Sequence, residues 1–171
     1  MAAIVELSEY NSAWPEMFRL EKLFLESVAG EWIYGGIEHV GSTSVVGLAA
    51  KPIIDIMFGV KSLADSRAVI EVLEKNSYCY APYKTEVMHW FCKPSEDHRT
   101  HHLHLVPYNS PLWHERLKFR NILRSNTNLA SEYASLKREL VVRYSKDREM
   151  YTDKKWPFIK KALEQENGKC R

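Results

Sequence analysis

Two hydrophobic periods run through the chain, and the points where one gives way to the other divide it into elements. From 14 to 30 the apolar residues Trp14, Met17, Phe18, Phe24, Leu25 and Val28 recur at helical spacing and make one face. Ser12 stands where a side chain can cap that helix, Pro15 falls in its first turn, and Gly30 marks its end. Residues 33–40 alternate like a strand, with an irregularity expected at Gly35 and Gly36 and with Glu38 facing solvent. The run from Pro52 to Phe58 is almost continuously apolar and reads as a buried strand that opens on Pro52. Leu63, Val69, Ile70 and Leu73 predict a crossover helix between Lys61 and Lys75. Strands follow at 77–80, 85–92 and 100–106, the last two joined by a polar hairpin loop.

Three helices complete the pattern. In the first, Trp113, Leu117 and Leu123 turn inward. The second starts at Asn126, Thr127 and Asn128 and carries Tyr133, Leu136, Leu140 and Tyr144 on its inner face. The third starts at Thr152 and Asp153, with Pro157 near its beginning and Trp156, Ile159 and Leu163 inward. Strands interleaved with one crossover helix, then a helical C-terminal third at about 111–165, predict a single α+β domain over 1–171 built on a mixed sheet.

Charge interrupts this pattern at informative places. Asp55 sits in the middle of the apolar strand, on the face of Ile53 and Met57, while Ile54, Ile56 and Phe58 point the other way into the core. A buried carboxylate is costly unless it is paired, hydrogen-bonded or bound to a cation. Upstream, Gly41-Ser42-Thr43-Ser44 is a turn of small residues whose backbone N–H groups can approach an anion. Asp55 is therefore either a structural acid tied to that turn or a metal or ligand group facing it.

The strand at 100–106 places His102, His104 and Val106 on one face and His101, Leu103 and Leu105 on the other. If it neighbours the Asp55 strand, then Asp55, His102 and His104 form a mixed nitrogen and oxygen set that suits zinc, manganese or iron better than magnesium. The plainer alternative is a pair of half-buried histidines that need no ligand. Metal binding by imidazoles of ordinary pKa, near 6.5, weakens below about pH 6. Arg116, Arg120 and Arg124 stack along one helix face, either as a solvated stripe or with Arg120 or Arg124 reaching the Asp55 turn as a carboxylate partner or phosphate clamp.

Composition narrows the class. No apolar run approaches the roughly 18–20 residues of a membrane span, and the N-terminus lacks a basic region followed by an apolar stretch, so a cytoplasmic protein is expected. Cys79, Cys92 and Cys170 lack any paired spacing and are expected to be free thiols. The net charge of +2 conceals 3 basic and 8 acidic groups over residues 1–60, against 15 basic and 8 acidic over 111–171. The basic third either attracts an anionic ligand or is a solvated helical surface. The low net charge, with aromatics on inward stripes, disfavours nucleic-acid binding.

Four blocks in order, HVGSTSVVGLAAKPIIDI at 39–56, THHLHLV at 100–106, FRNILR at 119–124 and YTDKKWPFI at 151–159, closely resemble the GrpB (UPF0157) family of the nucleotidyltransferase-fold superfamily. The resemblance runs from Trp14 to about Leu163. It implies a mixed sheet of nucleotidyltransferase (polymerase-β-like) type with packed helices. It further implies a nucleotide or other phosphate-bearing small molecule held by Gly41, Ser42, Thr43, Ser44, Lys51, Arg120 and Arg124. A divalent manganese, zinc or magnesium ion would sit on Asp55, His102 and His104, with Asp55 and His104 as catalytic groups. The superfamily signature is a Gly-Ser turn, a strand with two acids one residue apart, and a third acid on a later strand. Gly41, Ser42 and Asp55 match it. Met57 stands where the second acid belongs, residues 100–106 contain no acid, and Val46 replaces the proline expected in the turn. Two-metal transfer generally uses several carboxylates. Two functions stay open: an enzyme working with one metal, and a non-catalytic accessory or interaction module related to the domain fused to dephospho-CoA kinases.

Overall fold

The apolar run around Asp55 forms the second strand of a five-stranded sheet. The structure, a computed structural model, describes residues 4–169 and the side chains of 4–166. The strands are β1 (Ile37–Val40), β2 (Ile54–Val60), β3 (Cys79–Tyr80), β4 (His89–Pro94) and β5 (Arg99–Pro107), in the order β1-β2-β5-β4-β3. β2 pairs antiparallel with β1 and parallel with β5, and β4 runs antiparallel to both of its neighbours. The helices are α1 (Trp14–Ala29), α2 (Val69–Glu74), α3 (Pro111–Ser125), α4 (Thr127–Tyr144) and α5 (Arg148–Lys169). A mixed sheet with a helical C-terminal third is the α+β plan the pattern predicts.

Strand alternation sorts the two faces. Ile54, Ile56, Phe58, Phe91, Leu103 and Leu105 are fully buried beneath α1 and α2, where they meet Trp14, Leu25, Val69 and Leu73. Burial of each such large side chain contributes about 1.5–3 kcal/mol. On the opposite face Val40, Met57 and Val106 pack against Trp113 of α3. Beyond them, Val45 and Leu48 of the loop before β2 are enclosed by Leu123, Tyr133 and Ala134. The loop that carries the Gly-Ser turn is thus held between the sheet and the C-terminal helices.

Several expected boundaries shift for local reasons. Asn11 organises the start of α1 in place of Ser12, its side chain accepting from the Ala13 N–H at 2.9 Å. Gly30 stays right-handed at φ −57 and continues into a short 3₁₀ turn. β1 begins only at Ile37, because Gly35 and Gly36 take φ +84 and +115 while the chain crosses Gly59. There the Tyr34 N–H donates to the Gly59 carbonyl at 2.7 Å and the Gly59 N–H to the Gly36 carbonyl at 2.9 Å. β2 opens at Ile54 rather than Pro52, and α2 is short because 62–68 form turns tied by the Ser62 and Ser66 hydroxyls. Ser110 and Asn126 cap α3 and α4. Asp147 accepts from the Met150 N–H and starts α5 at Arg148, so Pro157 lies inside the helix and Trp156 is 45% exposed instead of inward. Cys79 and Cys92 are free thiols, and Cys170 lies outside the described residues. Among the described residues no helix is long and apolar enough to cross a membrane.

Candidate metal and anion site

Parallel pairing of β2 and β5 sets Asp55 opposite His102 and Met57 opposite His104, so all four side chains share the face covered by α3. His102 Nδ1 lies 3.1 Å from Asp55 Oδ1 and His104 Nε2 lies 3.6 Å from the same oxygen. One ligand atom from each of the three residues falls within 4.8 Å of the others. A tetrahedral ion with bonds of 2.0–2.2 Å separates its ligands by about 3.3–3.6 Å, a spacing these atoms already approach. Both nitrogens of His104 and Nε2 of His102 are buried without a hydrogen-bond partner. Buried polar atoms normally have partners, and a cation would supply one here.

The electrostatics fit lone pairs offered to a cation. Burial pushes the Asp55 carboxyl up, yet the hydrogen bond from His102 and the adjacent His104 outweigh burial and hold it well below the usual carboxylate range. Burial lowers His104 to about 4 despite the pull of Asp55, and Arg116 nearby lowers it further. An ionised carboxylate beside a neutral imidazole is the protonation state that a metal requires.

The Gly-Ser turn closes over this carboxylate. Gly41 has φ +71, and a Cβ built there would stand 2.5 Å from Asp55 Oδ2. Gly41→Ala therefore combines a left-handed backbone with a clash. It should destabilise the fold by about 2–4 kcal/mol and displace the Asp55 carboxylate. Urea denaturation checks this, and a loss below about 0.5 kcal/mol would show that the carboxylate is not held against the turn. Ser42–Ser44 form one 3₁₀ turn, in which the Ser44 hydroxyl donates to the Gly41 carbonyl at 2.5 Å. Thr43 is buried, with its hydroxyl 2.9 Å from His39 Nε2. His39 stacks on Phe18, and burial lowers its pKa to about 4.

The arginines of α3 reach the turn from outside. Arg120 donates to Glu38 at 2.7 Å and to the His39 carbonyl at 3.0 Å, which makes Glu38 an ion-pair partner where a solvent-facing residue was expected. Arg124 donates two hydrogen bonds to the Ser44 carbonyl, at 2.9 and 2.8 Å. Both guanidiniums bind protein oxygens on the rim.

The Asp55 charge is felt by Lys51, which the sequence singles out, and by Lys155, which it does not. Lys51 Nζ and Lys155 Nζ lie over the Tyr151 ring at 4.8 and 4.6 Å. Burial lowers Lys51 to about 8, with Asp55 opposing and Arg148 and Arg99 adding to the fall. Burial and then Lys51 lower Lys155 to about 7. Lys137 is 2% exposed, donating to Ser42 Oγ at 3.0 Å and to the Ala49 carbonyl. A signal for it existed: Lys137 sits four residues after Tyr133 and three before Leu140, on the inward stripe of α4.

A profile of the GrpB protein family matches residues 4–165. The Glutamate-rich protein GrpB of Alkalihalophilus pseudofirmus is 35% identical over 164 residues, covering 93% of this chain and 94% of the relative. The UPF0157 protein YqkA of Bacillus subtilis is 35% identical over 165 residues, but this chain spans only 47% of its length. The crystal structure of GrpB from Enterococcus faecalis superposes with a TM-score of 0.83 at 30% identity, covering 94% of this chain and 98% of that one. Cid1, described as having RNA terminal uridylyl transferase activity, superposes with a TM-score of 0.52 at 10% identity, over 75% of this chain and 40% of its own. That last likeness is one of fold.

Proposed function

Because the chain belongs to the GrpB family and has a nucleotidyltransferase-like fold, we propose that it binds one divalent metal ion together with a phosphate-bearing small molecule, a nucleotide being the form the fold favours. The observation that carries this reading is the buried His104 ring, with both nitrogens unpartnered, 3.6 Å from an ionised carboxylate. The donor set of two imidazoles and one carboxylate suits zinc or manganese, and the bound ion would supply positive charge for a phosphate oxygen. The Asp55 charge reaches both Lys51 and Lys155, which would add cationic donors for phosphate beside the turn at Gly41 to Ser44. Met57 is fully buried opposite His104 and offers no second carboxylate. That favours binding without two-metal nucleotidyl transfer, and is compatible with an accessory role.

Calorimetric titration with ATP and with inorganic tripolyphosphate, in the presence of zinc or manganese, tests the anion half. Lys51→Met and Lys155→Met should each weaken binding by about 10- to 100-fold, the share of one charge-assisted hydrogen bond. An anion raises the pKa of a neighbouring lysine. Since burial holds Lys51 near about 8 and Lys155 near about 7, binding at mildly alkaline pH should take protons up from the buffer. No saturable binding of either anion, or equal binding by wild type and both variants, would overturn the reading.

A further inference from the structure

We propose that Ser42 is a nucleophile activated by Lys137, forming an acyl-transfer site for carboxylic esters or thioesters that carry an anionic group. The inference goes beyond the metal and phosphate reading and requires neither ligand. Its basis is a serine hydroxyl, a buried amine and a phenol brought together from two distant parts of the chain. Lys137 Nζ lies 3.0 Å from Ser42 Oγ, within reach for direct proton transfer. Tyr133 lies one turn earlier on α4, with its ring 4.8 Å beneath the Lys137 ammonium. Ser42 is half-buried rather than sealed, whereas Lys137 is 2% exposed, so the amine is the more shielded of the two.

The surroundings of Lys137 favour an amine acting as a base. It makes no ion pair with a carboxylate among the described residues. The groups that face it are Ser42 and the Ala49 carbonyl from the loop, Tyr133 and Arg138 on α4, Lys155 from α5, and Lys51 just before β2. Burial, then Lys155, Arg138 and Lys51, bring its pKa down to about 7. A neutral amine keeps a lone pair for the serine proton while an N–H still donates to the Ala49 carbonyl. A lysine serving only to tie the loop to α4 would do as well fully charged and beside a carboxylate.

The step balances without a further reactant. Ser42 Oγ bonds to the carbonyl carbon as its proton passes to Lys137. The carbon–oxygen or carbon–sulfur bond to the leaving group then breaks, and the leaving alcohol or thiol takes that proton. Water next attacks the acyl-serine with Lys137 as base, releasing the carboxylic acid and restoring the hydroxyl. Lys51, Lys155 and the Arg116 guanidinium supply the positive field that would draw an anionic substrate.

A fluorophosphonate probe with mass-spectrometric peptide mapping tests this directly. In the wild type one adduct is expected, on Ser42: the oxygen–phosphorus bond forms, the phosphorus–fluorine bond breaks, fluoride leaves, and the proton reaches solvent through Lys137. Labelling should accelerate as pH rises through about 7, where Lys137 loses its proton. Ser42→Ala should not be labelled. Lys137→Arg and Lys137→Met should react at least about 100-fold more slowly, the lower end of what a positioned base contributes. If Lys137→Met fails to fold, Lys137→Arg decides, since it keeps charge and hydrogen bonding but cannot act as a base. No adduct in the wild type, an adduct that persists in Ser42→Ala, or wild-type labelling of Lys137→Arg would each overturn the proposal.

Discussion

Replacing Asp55 with Asn should abolish saturable binding of zinc and manganese, and His104→Ala should do the same while leaving the protein folded. Changes in the shell around a metal's ligands already cost 10–100-fold in affinity, so losing a direct ligand should cost at least about 100-fold. Calorimetry on the wild type and both variants, with circular dichroism as the folding control, gives the answer. Absence of binding in the wild type, or equal binding in all three, would make Asp55 a structural acid. The pH profile carries a second signature. A metal competes with protons only at ligands that are protonated, and both Asp55 and His104 have folded-state pKa values depressed below their free values. The His104 contribution should therefore persist as pH falls through the ordinary imidazole range and fade only near about 4. That window lies below the pH 6 expected from an unperturbed histidine, because burial disfavours the imidazolium.

The second large effect lies on the other face of the sheet, where Glu21 of α1 is 8% exposed. Its Oε1 accepts from the Tyr78 hydroxyl at 2.7 Å and from Lys93 Nζ at 2.8 Å, while Oε2 lies 3.9 Å from His101 Nε2. Lys93 also sits 4.5 Å over the Phe24 ring, so its ammonium is poorly placed to recover water. Burial first, and then the Glu21 charge, push the Tyr78 phenol far above its usual pKa, which keeps it a neutral donor. Glu21→Ala leaves a half-buried ammonium and a buried phenol without this acceptor. The expected destabilisation is about 3–5 kcal/mol, a large share of the roughly 5–15 kcal/mol that holds a domain together. A double-mutant cycle with Lys93→Met, read by urea denaturation, separates the pair from its parts. A single-variant loss under about 1 kcal/mol would mean that water replaces the carboxylate.

The sheet and its chemistry were differently legible. Ile54, Ile56 and Phe58 alternate with Asp55 and Met57, and Leu103 and Leu105 alternate with His102 and His104, so the side of the sheet on which each would fall could be read from period two alone. The joining of Asp55 to the two histidines needed only that their two strands be neighbours, as β2 and β5 are. Lys137 and Lys155 were not readable in this way. A lysine on an inward stripe reads as a solvated neighbour, because burying an amine is unfavourable unless something specific holds it. The capping errors are smaller and of one kind: Asn11 against Ser12, and Asp147 against Thr152, are pairs in which more than one residue can accept from the first turn. Glu38 escaped because its partner, Arg120, is 82 positions away.

The parallel register of β2 and β5 has a consequence for which ions the cleft can hold. Asp55 and His102 are cross-strand partners, so the bite between carboxylate and imidazole is set by the spacing of adjacent strands, about 4.8 Å between backbones, and by two short side chains. Neither loop length nor a long flexible stem can adjust it. A slip of one residue would bring His101 or Leu103 opposite Asp55 and turn His102 and His104 to the α1 side. The sheet therefore acts as a fixed caliper. An ion held there would need bonds near 2.0–2.2 Å, and calcium, which needs 6–8 oxygens at 2.3–2.6 Å from a frame that can widen, would fit poorly.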